Sequence, residues 1–254
     1  MASLSVVLAT HNEEKNLSSC LESVKDLAQE IVIVDGESTD RTVEIAKSFG
    51  AIVISTNNKT NFHINKQIAI DKASKDWILQ LDADEDVSRS LVEEIKEKIN
   101  DKENNFNGYW LPRKNWFLGR FLMKGGQYPD YTLRLYKRGK GHLPQVDVHE
   151  QAVVEGEVGF LKEALLHYPY SDFSFYLSKW HRYVSFSAQQ LKKEGHLFNP
   201  LFALKQLILL PAHWFLLTFF RHKGFMDSWQ GFVFSFFSAL RFPASYIEAL
   251  FAKL

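Results

Sequence analysis

Apolar and polar positions in the first hundred residues alternate between two periods. Leu4 to Ala9 is a short, β-branched-rich apolar run, the pattern of a strand buried on both faces. From Glu13 to Leu27 the period changes, and Leu17, Cys20, Leu21 and Val24 line one side of a helix. Ile31 to Val34 is a second apolar run and ends at Asp35-Gly36. The next helix carries Val43, Ile45, Ala46 and Phe49 and stops at Gly50, with Ser38 or Thr39 placed to cap it. Ala51 to Ser55 predicts a third strand, Ile64 to Ala73 a further helix, and Trp77 to Leu81 a fourth strand. Strands alternating with helices in this way predict an α/β fold with a mostly parallel sheet covered on both faces.

Beyond Asn100 the pattern loosens. Gly108 to Pro112 and Thr132 to Tyr136 predict strands, with Gly119, Gly125 and Gly126 in loops between them. Asp172 to Glu194 is amphipathic: Asp172 caps it, Leu177, Trp180, Val184 and Leu191 form the stripe, and Gly195 ends it. Leu201 to Phe220 is almost wholly apolar and about the length that crosses a bilayer. Lys205, Gln206, Pro211 and His213 make a clean span costly and predict a kink. Shallow insertion in one leaflet, anchored at headgroups by Trp214, Trp229, Arg221, His222 and Lys223, suits this composition. Packing on the α/β domain or in an oligomer interface is the alternative. The organisation expected is an α/β domain over 1–166 and a helical region over 167–254 that faces a membrane or forms an oligomer.

Composition narrows the classes. Of 254 residues, 46% are hydrophobic and 24% charged, enough for a packed core. Lys+Arg and Asp+Glu both total 30, so no global field draws the chain to nucleic acid. The segment from Leu111 to His142 is locally basic: Arg113, Lys114, Arg120, Lys124, Arg134, Lys137, Arg138 and Lys140 stand against Asp130. That is either a solvated surface or a patch facing phosphates. Cys20 is the only cysteine, which fits a reducing compartment. The N-terminus has no basic n-region and reads as a first core strand, not a signal peptide.

The sharpest chemical signal is Trp77-Ile78-Leu79-Gln80-Leu81-Asp82-Ala83-Asp84-Glu85, a buried strand running directly into acids. Residues two apart on an extended chain point the same way, so Asp82 and Asp84 can face one cation. Oxygen ligands suit Mg²⁺ or Mn²⁺, which would neutralise charge on a diphosphate leaving group. Asp35 is a second acid at a strand end, and Thr10-His11-Asn12-Glu13 follows the first strand. Helix capping accounts for Ser38 to Thr42 but not for Asp35. Ligands gather at the carboxyl ends of strands in open α/β sheets, so the three polar strand ends share one crevice.

Together, Thr10-x-Asn12-Glu13, Val34-Asp35-x-x-Ser38-Thr39-Asp40-x-Thr42 and Leu81-Asp82-Ala83-Asp84-Glu85 resemble the family 2 glycosyltransferases of the GT-A fold. The resemblance implies an inverting transferase using a nucleotide-diphospho-sugar, with UDP as the expected nucleotide, and a divalent metal. It places Thr10 and Glu13 against the nucleotide, Asp35 near base or ribose, and Asp82 and Asp84 across diphosphate and metal. Lys66 matches a basic position that meets donor phosphates. Many members have two acids where this chain has Asp35-Gly36, and the second often contacts uracil, so Gly36 leaves base selectivity open.

Further segments, Tyr131-Thr132-Leu133-Arg134-Leu135-Tyr136-Lys137-Arg138, Val148-His149-Glu150, His167 and Gly224-Phe225-Met226-Asp227-Ser228-x-x-Gly231-Phe232, look like the branch with lipopolysaccharide core β-glucosyltransferases. Inversion needs a carboxylate to deprotonate the acceptor hydroxyl; Glu150 is the candidate, with Asp147 second. His167 reads as a core or loop histidine. Arg134 can hold a phosphate bidentately or form a surface ion pair. The expected reaction moves a hexose, glucose first, onto a lipid-linked glycan such as lipopolysaccharide inner core, at the cytoplasmic face of the cell membrane. A polyprenyl-phosphate acceptor and a non-catalytic membrane-associated scaffold are the alternatives. A haloacid-dehalogenase phosphatase also uses Asp-x-Asp, but after its first strand and with Thr or Val where this chain has Asp86.

Overall fold

In a computed structural model, residues 1–59, 61–145 and 151–251 are described. Contacts divide the chain into two compact units, Met1–Arg113 with Asp130–His167, and Lys114–Pro129 with Tyr168–Leu254. The sequence reading drew one cut at 166/167, whereas residues 114–129 group with the C-terminal segment.

The first unit begins β1 (Leu4–Thr10), α1 (Leu17–Val24), β2 (Glu30–Asp35), α2 (Thr42–Ser48), β3 (Ile52–Ser55), α3 (Phe62–Lys72) and β4 (Trp77–Gln80). It continues with β5 (Glu85–Val87), α4 (Arg89–Asn100) and β6 (Gly108–Phe117). After β7 (Arg120–Leu122), which belongs to the second unit, come β8 (Asp130–Lys137), β9 (Gly141–His142), β10 (Val153–Val154), β11 (Val158–Phe160) and β12 (Leu165–His167). The main sheet runs β3-β2-β1-β4-β8-β6-β12-β5. Its first four strands are parallel, and β8 then pairs antiparallel with β4 and β6. The chain winds outward from β1 to β3, then returns to place β4 on the other side of β1. The reversal opens a crevice at the carboxyl ends of β1, β2 and β4.

Alternation along β1 builds both faces of the core. Leu4, Val6 and Leu8 join Leu17, Leu21, Ile33 and Leu79 on one face; Val7 joins Val32, Val34, Ala69 and Ile78 on the other. Helix α3 departs from ordinary amphipathicity. Its buried residues begin polar (His63, Asn65, Lys66) and end apolar (Ala69, Ile70), so the half nearer its start is buried around chemistry and not hydrocarbon. Helix α2 corrects a capping expectation. It starts at Thr42, whose N–H is accepted by Asp40 Oδ1 at 3.0 Å, so neither Ser38 nor Thr39 caps it. Helix α4, with Leu91, Val92, Ile95 and Ile99 inward, has a clear helical period that the sequence reading did not assign.

In the second unit, α5 (Phe173–Glu194) is bounded as its sequence predicts: Asp172 Oδ1 accepts from Phe175 N–H at 2.8 Å, and Gly195 adopts φ 75°. A helix follows over Pro200–Arg221, and a terminal helix over Ser228–Phe251. The Pro200–Arg221 helix does not break at Pro211. A π-helical stretch at Lys205–Leu209 precedes the proline, widening the turn where its ring and missing N–H would otherwise interrupt the ladder. Phe117, Leu122 and Tyr176 form the core here, with Val233, Phe234 and Phe237 packed against them. Gly224 and Gly231 let two backbones meet: a Cβ on Gly231 would sit 1.9 Å from the Gly224 carbonyl oxygen. Between them, Asp227 accepts from Lys124 N–H at 2.6 Å and pairs with Arg120 at 3.4 Å. The Gly224-to-Gly231 motif thereby ties segment 114–129 to the terminal helices.

Candidate active site

At the ends of β1 and β2, register places Thr10 opposite Asp35. Asp35 is buried, and its carboxylate accepts from Thr10 Oγ1 at 3.3 Å, Ser38 Oγ at 2.5 Å and Ser38 N–H at 2.9 Å. Asn12 Oδ1 accepts from Thr39 N–H at 2.8 Å, while Asn12 N–H donates to Ser38 Oγ at 2.9 Å. The segment quoted as Ser38-Thr39 therefore braces the loop after β1. Glu13 donates its N–H to Thr42 Oγ1 at 2.7 Å and accepts from Asn16 Nδ2 at 2.9 Å. Gly36 is filled from outside: a Cβ there would lie 3.1 Å from Asn58 Cα. Its carbonyl accepts from His11 Nδ1 at 2.7 Å.

Past the end of β4, Asp82 is gripped from both sides. Lys66 Nζ from α3 pairs with Oδ1, and Arg134 Nη2 from β8 meets Oδ2 at 2.6 Å. The same Nη2 lies 3.1 Å from Glu85 Oε1, which Arg113 Nη1 also meets at 3.1 Å. Arg113 then reaches Asp130 at 2.8 Å. Glu85 Oε2 accepts the Asp82 N–H at 3.0 Å, and that local ring shapes the turn. Burial opposes the charged form of Asp82, but Arg134 and Lys66 outweigh it and hold the carboxyl well below the usual range. Arg134 shifts the other way: burial opposes its charge, and Asp82 and Glu85 more than restore it. For Lys66 burial wins, and its ammonium loses a proton more easily than a surface lysine. Arg134 is buried, not the surface pair that its sequence position allowed, and its Nε has no hydrogen-bond partner among the described residues.

These groups line a cavity of about 240 Å³ that includes Lys66, Gln80, Asp82, Arg113, Arg134 and Gln151. The three cations that line it (Lys66, Arg113, Arg134) are paired with three carboxylates, Asp82 at the cavity wall and Glu85 and Asp130 behind it. The crevice is thus balanced before any anion enters. A diphosphate would need positive charge beyond this set, or would have to draw Lys66 and Arg134 away from Asp82.

Asp84 stands outside that network. Its Oδ2 lies 3.5 Å from His167 Nε2, because β12 pairs with β5 and sets His167 opposite Glu85. Among the described residues no group of three His, Cys, Asp or Glu side chains could hold a metal. One carboxylate oxygen and one imidazole nitrogen nonetheless lie 3.5 Å apart and could serve as two ligands. Their chemistry suits Mn²⁺, which accepts imidazole with oxygen ligands, and leaves positions for phosphate and water.

The structure thus brings together Lys66, Asp82 and Arg134, and separately Thr10 with Asp35. Glu150 and Asp147 lie outside the described residues. Gln151, the neighbour of Glu150, lines the cavity, and its Oε1 accepts from Thr132 Oγ1 at 3.1 Å. The sequence reading gave no role to Glu85 or Arg113 and read His167 as a core or loop histidine. Only the last had a signal, an isolated histidine closing a short apolar run, Ala164 to Leu166.

The family model for glycosyl transferase family 2 matches residues 5–153. A lipopolysaccharide core biosynthesis glycosyltransferase of Rhizobium meliloti, LpsC, is 30% identical over 94% of this chain and 91% of its own length. An uncharacterized glycosyltransferase of Rickettsia typhi is 28% identical over 92% of this chain and 82% of its own. Among solved structures, S. aureus TarS 1-349 in complex with UDP-GlcNAc aligns with a TM-score of 0.52 and 16% identity, covering 97% of this chain and 81% of that one. The architecture is the GT-A fold, with an apolar helical C-terminal region.

Proposed function

The chain belongs to glycosyl transferase family 2, and from that premise we propose that it moves a hexose, glucose first, from a UDP-sugar to a lipid-linked glycan. Similarity to LpsC supports a lipopolysaccharide-type acceptor, and the UDP-GlcNAc carried by TarS supports the nucleotide. The observation that carries the reading is the balanced crevice around Asp82: Lys66 and Arg134 are positioned for phosphates, yet their charge is already matched. A divalent ion supplies the missing charge and, when bound, stabilises the departing nucleoside diphosphate as a Lewis acid. Asp84 and His167 would hold it. Thr10, Glu13 and Asp35 shape the nucleotide side.

Glu150, with Asp147 second, is assigned as the base that takes the acceptor hydroxyl proton. Gln151, which follows Glu150 in the chain, lines the cavity wall and supports this assignment. The exposed apolar helix Pro200–Arg221 supports peripheral attachment to the cytoplasmic face of the membrane.

The test is nucleotide release from a panel of sugar nucleotides with Mn²⁺ or Mg²⁺, comparing wild type with Asp84→Ala. Metal-dependent release from one UDP-sugar, lost in the variant, is the expected result. Release that ignores both metal and variant rejects the metal assignment, and no donor binding by calorimetry rejects the transferase reading.

A further inference from the structure

The second unit contains a cavity of about 490 Å³, within the range of small-molecule sites, that no role described so far uses. Its walls are aromatic: Tyr170, Tyr176, Tyr183, Trp180, Trp214 and Phe234. Its polar lining includes two cations, Lys179 and Arg241, beside His222, Gln127, Thr218 and Ser238, and among the described residues no acidic side chain lines it. Lys179 is fixed in place by donating to the Pro169 carbonyl at 2.9 Å, with its ammonium 5.5 Å from the Tyr170 ring. Arg241 is half-buried and lies against Phe242, and no carboxylate of the described residues is within ion-pairing distance of it. A guanidinium held partly out of water without a counter-charge is costly unless something anionic comes to it. Gly125 and Gly126, both at positive φ (65° and 78°), line the cavity with bare backbone.

We propose that this cavity binds a phosphorylated saccharide, with the sugar ring on the aromatic walls and the phosphate on Arg241 and Lys179. Aromatic faces accept the C–H face of a pyranose, and an arginine fork matches a phosphate bidentately. Neither feature alone selects the ligand. A purely apolar ligand would leave both cations unpaired, and free phosphate would leave six aromatic rings without use. That the saccharide is part of the glycan acceptor rests on the transferase reading above; affinity of the cavity for a phosphosugar does not.

The experiment titrates the full chain with glucose 6-phosphate, glucose and inorganic phosphate, reading tryptophan fluorescence and heat. Glucose 6-phosphate should bind at least about tenfold more tightly than either fragment, since each supplies only one of the two contacts. Arg241→Gln and Lys179→Gln should each weaken it by about tenfold, and Arg241→Lys should restore part of the loss. Lys66→Ala should leave this binding unchanged, which separates the cavity from the crevice of the first unit. UDP titration of the same proteins reports the donor site independently, so failure of the transferase reading would show there and not here. Equal affinity for glucose 6-phosphate and phosphate, or indifference to Arg241→Gln in a normally melting protein, would overturn the proposal. Displacement of glucose 6-phosphate from this cavity by phosphatidylglycerol vesicles, with tighter binding than the sugar phosphate, would overturn it in favour of a lipid headgroup.

Discussion

The strand-end crevice of the first unit and the helical surface of the second leave opposite kinds of group to be satisfied. In the crevice Lys66, Glu85 and Arg134 are buried against opposite charges, and Asp82 holds two cations at once. On the Pro200–Arg221 helix the reverse holds: Leu201, Ile208 and Leu216 are 76%, 58% and 56% exposed. A buried ion cluster is held by its own geometry, because losing one partner strands the others. An exposed apolar stripe contributes almost nothing to the fold and keeps its burial energy for whatever later covers it. The first region is therefore finished by folding, and the second keeps an apolar surface in contact with solvent.

The largest effect should come from breaking the cluster at its centre. Asp82→Asn leaves Lys66 and Arg134 buried without their shared counter-charge, a loss of about 3–5 kcal/mol in unfolding free energy by chemical denaturation. Asp84→Asn sharpens the contrast within the same motif. Among the described residues Asp84 makes no ion pair beyond His167, so stability should change by less than about 0.5 kcal/mol. Metal-dependent turnover should nonetheless fall by at least about 100-fold, near 3 kcal/mol of transition-state stabilisation. Two aspartates two residues apart would then divide into one that builds the site and one that works in it. Equal melting curves for the two variants would refute that division.

The same contrast explains what was legible in the sequence. Asp35 and Asp82 stand out because each ends a run of apolar residues, and a parallel sheet buried on both faces makes such runs unmistakable. The ion pairing around Asp82 was harder to see. Arg113 and Arg134 sit in a basic stretch that reads equally as solvated surface or as a patch facing phosphates, and only the antiparallel return of β8 beside β4 turns Arg134 inward. The role of His167 was hidden for the same reason, since its meeting with Asp84 depends on β12 pairing with β5, about eighty residues away in sequence. Local periodicity carries no information about such pairings. In the second unit the difficulty is of another kind: Leu201 to Phe220 is apolar on every side, so the pattern cannot say which side chains face protein.

Gly231→Ala tests how tightly the second unit is built despite its uncovered surface. Alanine favours a helix interior over glycine by about 1 kcal/mol, so propensity alone predicts stabilisation. A Cβ 1.9 Å from the Gly224 carbonyl oxygen meets backbone, which cannot rotate away. Overpacking should prevail and cost about 1–3 kcal/mol net. A rise in melting temperature would mean the two backbones can part freely.

The smallest effect on the fold, and the most informative about that apolar surface, is expected from Ile208→Lys combined with Leu216→Lys. Both side chains are more than half exposed, so the double variant should unfold within about 0.5 kcal/mol of wild type. Burying an aliphatic side chain is worth about 1.5–3 kcal/mol, or roughly a tenfold change in partition for each residue. Sedimentation with vesicles of phosphatidylethanolamine and phosphatidylglycerol should therefore show binding reduced by about 100-fold, although two positive charges have been added. Those charges are what make the measurement decisive. If attachment were electrostatic, through Arg221, His222 and Lys223, the variant would bind anionic vesicles more tightly. If the stripe is buried in the leaflet, it binds them less, and the apolar surface left uncovered by folding is covered by lipid.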